Sequence, residues 1–345
     1  MNKLKIGDLE ISDSSSTVVI AEIGINHGGN LDTAKAMVDS AARAGARVIK
    51  HQTHIPSEEM SDHARSTIPG NSDQSIFDII SDCSLSLDDE TLLKHYVEQL
   101  GITYLSTPFS RAAADFLFSL DVPAFKIGSG ECNNLPLIRH IARFGKPVIL
   151  STGMNDIDSV RASVNVLRES RTPFALLHCV NLYPTPAHLS NLGAITELRR
   201  AFPDTQIGFS DHSIGNYASF AAVALGANVI EKHFTDSYER VGPDIECSVD
   251  EHGLEDLIYG CNIVRLARAG TKHLLPEEEV TRTFAYSSVV CTRKILRGDI
   301  FTENNIWVKR PGTGEIPARD YDQVLGTKAT RNIELGEQLK RSDYA

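Results

Sequence analysis

The chain has 345 residues, 41% of them hydrophobic, with 34 Lys and Arg against 45 Asp and Glu, for a formal net charge of −11. That size and apolar share suit a soluble globular protein with one large domain and one small one. The negative charge is spread along the chain without any Lys/Arg-rich run, which excludes nucleic acid as the main ligand, and no apolar run approaches the roughly 18 residues that span a bilayer.

Lys3 and Lys5 have no apolar stretch behind them, so no signal peptide is expected and the protein reads as cytoplasmic. Cys83, Cys132, Cys179, Cys247, Cys261 and Cys291 lack C-x-x-C spacing and are expected to be reduced thiols. Apolar strand-like runs occupy 17–24, 47–53, 102–107, 124–129, 147–152, 174–180, 206–212 and 229–235. Helical patterns separate them, among them 31–44, 110–120, 156–168, 191–202 and 215–227, with 250–269 as a closing helix. Eight βα units within about 270 residues fit a (β/α)₈ TIM barrel. A doubly wound sheet is the alternative, but no G-x-G-x-x-G follows the first strand.

Residues 54–87, between the second strand and its helix, form a long insert with Pro69-Gly70-Asn71 and many Ser and Asp; it reads as a pocket wall or as a solvated loop. The expected domains are 1–270, a polar linker over 271–285, and a small β-rich module over 286–345. Within that module Ile295-Leu-Arg-Gly298-Asp-Ile-Phe301 and Ile333-Glu-Leu-Gly336-Glu-Gln-Leu339 share one pattern, followed by Asn305 and Asp343, which suggests a pseudo-twofold.

Polar residues collect at the carboxyl ends of the strands, the face that carries barrel active sites. They are Glu22, Lys50, Gln52, Thr107, Lys126, Ser129, Ser151, Asn181, Tyr183, Ser210, His212 and His233. Two lysines with several hydroxyls make a phosphate cradle, and a lysine on a buried strand needs a counter-charge that bound phosphate would supply. His212 and His233 close neighbouring strands and are spaced to share a divalent metal, although each read alone is as well explained as an interior residue capping a strand. Two mechanisms fit the residues: a metal-dependent condensation, favoured by the histidine pair, or a Schiff-base aldolase with Lys50 or Lys126 as nucleophile. A third reading makes the small module a binding device on a scaffold.

The segments Ala21-Glu-Ile-Gly-Ile-Asn-His-Gly-Gly, Lys50-His-Gln-Thr-His, Lys126-Ile-Gly-Ser-Gly-Glu-Cys-Asn-Asn, Leu177-His-Cys-Val-Asn-Leu-Tyr-Pro-Thr, Gly208-Phe-Ser-Asp-His, Glu231-Lys-His-Phe-Thr, Gly242-Pro-Asp and Trp307-Val-Lys-Arg-Pro-Gly resemble the bacterial sialic acid synthases. The likeness covers nearly the whole chain, and the small module is similar to the family's antifreeze-like (SAF) domain. It implies a transferase that condenses phosphoenolpyruvate with N-acetylmannosamine, releasing phosphate and forming N-acetylneuraminate, with legionaminic and pseudaminic acid synthases as close relatives. It further implies a divalent metal, Mn²⁺ before Mg²⁺ or Co²⁺, on His212 and His233 with Glu22 beside them. Phosphoenolpyruvate would meet Lys50, Thr107, Lys126, Ser129, Ser151, Asn181 and Ser210, and the sugar would meet Gln52, Asn71, Glu131, Tyr183 and Asp244. The implied assembly is a domain-swapped homodimer in which Arg310 reaches the partner's site.

Overall fold

Residues 3–68 and 73–345 are described by a computed structural model, in which the chain opens with a hairpin that the periodicity did not reveal. Strands β1 (Leu4–Ile6) and β2 (Leu9–Ile11) pair antiparallel across a two-residue turn. Gly7 takes φ 55° there, a left-handed conformation that costs glycine little. Leu4, Ile6, Leu9 and Ile11 are buried while Lys5 and Glu10 are exposed, so one face of the hairpin is apolar.

Eight parallel strands follow: β3 (Val18–Gly24), β4 (Val48–Thr53), β5 (Thr103–Pro108), β6 (Phe125–Ile127), β7 (Val148–Ser151), β8 (Phe174–Cys179), β9 (Gln206–Asp211) and β10 (Val229–His233). Their order is β5-β4-β3-β10-β9-β8-β7-β6, and β5 and β6 lie side by side, so the sheet nearly closes on itself. The pairing of the first barrel strand with the last, Glu22 opposite His233, is what a barrel requires and a doubly wound sheet does not provide.

Strand alternation then divides the side chains. One parity (Val19, Ala21, Ile23, Ile49, Phe125, Leu150, Phe209, Ile230) packs outward in a single core with the helices. The other parity (Val18, Ile20, Val48, Leu105, Ala124, Ile149, Ala175, Leu177, Val229) points inward and packs on the hairpin's four apolar residues. The hairpin thus plugs the amino-terminal end of the barrel. Two residues further along the same inward rows stand Glu22, Lys50, Thr107, Lys126, Ser151, Cys179 and Glu231 at the opposite end.

Helix starts follow their caps. Asn30, Ser110, Asp156 and Asp250 each accept a hydrogen bond from a first-turn N–H of Leu31–Arg43, Arg111–Ser119, Ile157–Glu169 and Glu251–Ala267, so those cap residues stand outside the helices. Among its described residues the insert carries the short helices Pro56–Glu59 and Ile76–Cys83, with a 3₁₀ helix at Asp62–Ser66 between them. The barrel helix Leu87–Gln99 follows it.

The chain divides into two units, Met1–Ala269 and Gly270–Ala345. The stretch expected as a polar linker over 271–285 is partly helical, with a 3₁₀ turn at Pro276–Glu278 running into helix Glu279–Ala285. Pro276 at the first position, followed by three glutamates, is a helix-start pattern that its polarity obscured. In the second unit β11 (Ser288–Cys291) and β12 (Ile306–Lys309) pair antiparallel. Ile295 and Ile333 exchange reciprocal backbone hydrogen bonds of 3.0 and 2.9 Å. Thr302 N–H donates to Asn305 at 2.7 Å and Lys340 N–H to Asp343 at 2.9 Å, so the two repeats turn alike.

Candidate active site

The inward polar residues surround a cavity of about 200 Å³ at the carboxyl end of the barrel. Glu22, Lys50, Gln52, Thr107, Lys126, Ser129, Ser151, Asn181, Tyr183, Ser210, His212, His233 and Asp244 all line it. Glu131 does not; it sits in the 3₁₀ turn Ser129–Glu131 and accepts a hydrogen bond from Asn134. Arg310 follows β12 in the second unit and is exposed. Asn71 lies outside the described residues.

A network of buried charges spans the cavity. Lys50 Nζ is 2.8 Å from Glu22 Oε2 and donates to Thr107 Oγ1 at 3.0 Å. Lys126 Nζ donates to Ser151 Oγ at 2.7 Å and lies 3.4 Å from Glu231 Oε1. Glu231 also accepts from Ser210 Oγ at 2.9 Å, and its other oxygen is 4.0 Å from Lys50 Nζ. The counter-charges expected from bound phosphate are therefore already present in Glu22 and Glu231.

Burial opposes the charge on Lys50, but the two carboxylates outweigh it and its pKa is raised. For Lys126 burial wins and the pKa is lowered, with Glu231 opposing the shift and Lys50 adding to it. Glu231 is buried too, yet the two ammonium groups hold it down at about 2.

The imidazoles adjoin this network, since His233 is the register partner of Glu22 and lies two residues beyond Glu231 on β10. Tyr183 stacks on His212 with ring centroids 4.0 Å apart, and the rings of His212 and His233 are 5.4 Å apart. His212 Nδ1 lies 2.9 Å from the Val180 carbonyl, which can only accept, so Nδ1 carries the proton and Nε2 keeps its lone pair. His233 Nδ1 is buried without a hydrogen-bond partner, 3.6 Å from Asp244 Oδ2. Burial lowers both histidines to about 4, with mutual repulsion adding to the shift at His212 and Lys50 at His233, so both rings are neutral near pH 7. Burial raises Asp244 to about 6.

Two neutral imidazoles, one with an orphaned buried nitrogen, fit a divalent cation. No cluster of three or more His, Cys, Asp or Glu could hold a metal among the described residues, so the rest of a coordination sphere would come from water or substrate.

Local contacts hold the mouth in place. Gln52 donates to Glu22 Oε1 at 2.8 Å, and His54 joins Gln52 at 3.1 Å to Glu59 of the insert at 3.0 Å. A Cβ on Gly153 would stand 1.9 Å from Asn181 Oδ1, so only glycine lets that side chain approach. Glu231 and Cys179 line the cavity but drew no role from the sequence. The signal for Glu231 was the two-residue spacing to His233, which puts both on the inward face.

Residues 37–273 match the NeuB family and residues 286–345 the SAF domain. The N,N'-diacetyllegionaminic acid synthase of Campylobacter jejuni is 36% identical over 94% of this chain and 99% of its own length. The N-acetylneuraminate-9-phosphate synthase of Homo sapiens is 32% identical over 93% of this chain and 90% of its own. A sialic acid synthetase from Leptospira borgpetersenii, solved with citrate, shares the fold with a TM-score of 0.74 at 30% identity, covering 81% of this chain and 95% of that one. With family matches across both units and such identities over nearly its full length, this chain belongs to the NeuB family of sugar acid synthases.

Proposed function

We propose that this enzyme condenses phosphoenolpyruvate with N-acetylmannosamine and water to give N-acetylneuraminate and phosphate. The supporting observation is one cavity that brings together two buried lysines and two neutral histidines. Lys50 and Lys126 bind the phosphate as point charges, with Thr107, Ser129, Ser151, Asn181 and Ser210 adding hydrogen bonds. Tyr183, Gln52 and Asp244 orient the open-chain sugar, with Asn71, Glu131 and Arg310 as further proposed contacts. His212 and His233 would hold the cation, Mn²⁺ by preference, which when bound supplies Lewis-acid polarisation of the aldehyde. The enol C3 forms the new bond to the aldehyde carbon, water adds at C2, and the C2–O bond to phosphate breaks. Glu22, between Lys50 and Gln52, takes the proton of the attacking water, and one proton is delivered to the aldehyde oxygen, which becomes a hydroxyl.

A second reading, condensation with a diacetamido-trideoxy hexose to give a legionaminic acid, is favoured by the 36% identity to the Campylobacter jejuni enzyme. The test is to incubate enzyme, phosphoenolpyruvate carrying ¹⁸O in the bridging position, and Mn²⁺ with each sugar in turn. Label appearing in released phosphate, with the N-acetylneuraminate mass from N-acetylmannosamine, supports the first reading. Turnover only with the diacetamido sugar replaces it, and a borohydride-trapped adduct on Lys50 or Lys126 replaces both with a Schiff-base aldolase.

The family likeness also supports a cytoplasmic, domain-swapped homodimer in which Arg310 meets the substrate bound by the partner's barrel. Mixing Arg310→Ala and His212→Ala chains under subunit exchange should then restore activity above either parent. Confirmed heterodimers without restored activity would overturn the swap.

A further inference from the structure

Behind the two imidazoles lies a pair of opposite charges that faces away from the cavity. Asp211 and Lys232 are cross-strand partners in the β9–β10 ladder, each one residue before a histidine. They share the outward parity of Phe209 and Ile230. Both side chains are 0% exposed, with Lys232 Nζ 3.2 Å from Asp211 Oδ2. Lys232 also donates to the carbonyl of Ser213. Asp211 accepts from Ser213 N at 2.8 Å, from Ser213 Oγ at 2.7 Å, and from Ser219 Oγ at 2.7 Å in helix Tyr217–Ala224. The residues on either side of His212 are thus tied to the residue just before His233.

A buried ion pair gains little stability over an apolar pair of similar volume, because desolvation offsets the attraction. What it supplies is register, since a one-residue slip of β10 would turn Lys232 into the cavity and His233 out of it. We propose that Asp211 and Lys232 are positioning residues that fix the separation of His212 and His233 and thereby set the affinity of the site for a divalent cation. The proposal rests on the reading that the two histidines hold that cation.

The test measures Mn²⁺ binding to the full chain by equilibrium dialysis and by the paramagnetic resonance of free Mn²⁺, beside thermal unfolding. Asp211→Asn and Lys232→Met should each lower the Tm and weaken Mn²⁺ binding about ten- to a hundred-fold, as outer-shell changes do. The double variant leaves no uncompensated charge, so its Tm should recover while its Mn²⁺ affinity stays at least about tenfold weaker. Wild-type affinity in the folded double variant would overturn the proposal and leave the pair a matter of stability alone. Should that variant not fold, Ser219→Ala keeps both charges and removes one hydrogen bond; several-fold weaker binding is expected, and unchanged binding overturns the proposal. A different result, Mn²⁺ binding by His212→Ala equal to that of the parent, overturns the two-histidine reading itself.

Discussion

Among its neighbours Glu231 does most to keep Lys126 protonated, and the two together control the charge at the proposed phosphate site. In Glu231→Gln that support is gone and the Lys126 pKa, already lowered, falls further. The alkaline limb of kcat/KM for phosphoenolpyruvate should therefore move to lower pH than in the parent enzyme; superimposable pH–rate profiles would remove Lys126 from the proposed phosphate site. Lys126→Met keeps the volume and deletes the charge, while Glu231 retains Lys50 within 4.0 Å. Loss of a charge-assisted hydrogen bond of about 1.5 to 3 kcal/mol should weaken phosphoenolpyruvate binding roughly ten- to a hundred-fold. Steady-state kinetics with each substrate varied in turn checks this, and an unchanged KM for phosphoenolpyruvate would make Lys126 a structural residue.

Among the elements, the hairpin shows how a short segment can matter through its position. Ile11 is 0% exposed and packs with inward residues of several barrel strands. Ile11→Ala should cost about 2 to 5 kcal/mol, because a closed barrel end cannot collapse into the cavity left behind. Chemical denaturation of the variant measures the loss, and a stability equal to the parent's would show that the plug is dispensable. The hairpin strands, three residues each with only the middle one polar, alternate too briefly for a period to show, and their alternation gains meaning only inside the barrel. The long strands were legible because both parities are apolar, as parallel strands covered on both faces must be. The helix Glu279–Ala285 was missed for the reverse reason, since its charged face has no buried residue to mark a period.

For the whole molecule, the buried histidines set the response to acid. His27 is lowered to about 3, by burial first and then by repulsion from His51, and His212 and His233 to about 4, all from an ordinary value of 6.5. The unfolded chain takes up these protons first, so their contribution is complete above about pH 6.5 and is lost as pH falls towards the folded values. At pH 5 this amounts to about 2 kcal/mol for each histidine. Asp244, raised to about 6, works in the opposite sense, contributing stability in acid that is lost as pH rises through that value; it returns roughly 1 to 2 kcal/mol at pH 5. Three histidines outweigh one aspartate, so in chelator the Tm should fall clearly between pH 7 and pH 5, and less so for His27→Gln. Equal Tm values at the two pH values would contradict the assignment of neutral buried rings.

The sequence by itself determined the eight strands, the polar residues at their carboxyl ends, the paired histidines and the repeat in the small module, because each depends on spacing within a few residues. Only the tertiary structure decided which charge meets which. Glu231 on β10 and Lys126 on β6 lie four strands apart in the sheet order, on opposite sides of the barrel, and meet only because the sheet curves back on itself. Glu22 and Lys50, by contrast, are register partners on neighbouring strands and meet through the ladder itself, while Glu131, in the turn after β6, lies outside the cavity. A local pattern specifies the face on which a side chain lies; the angle around the barrel, which fixes its partner, is a property of closure that no short stretch of chain contains.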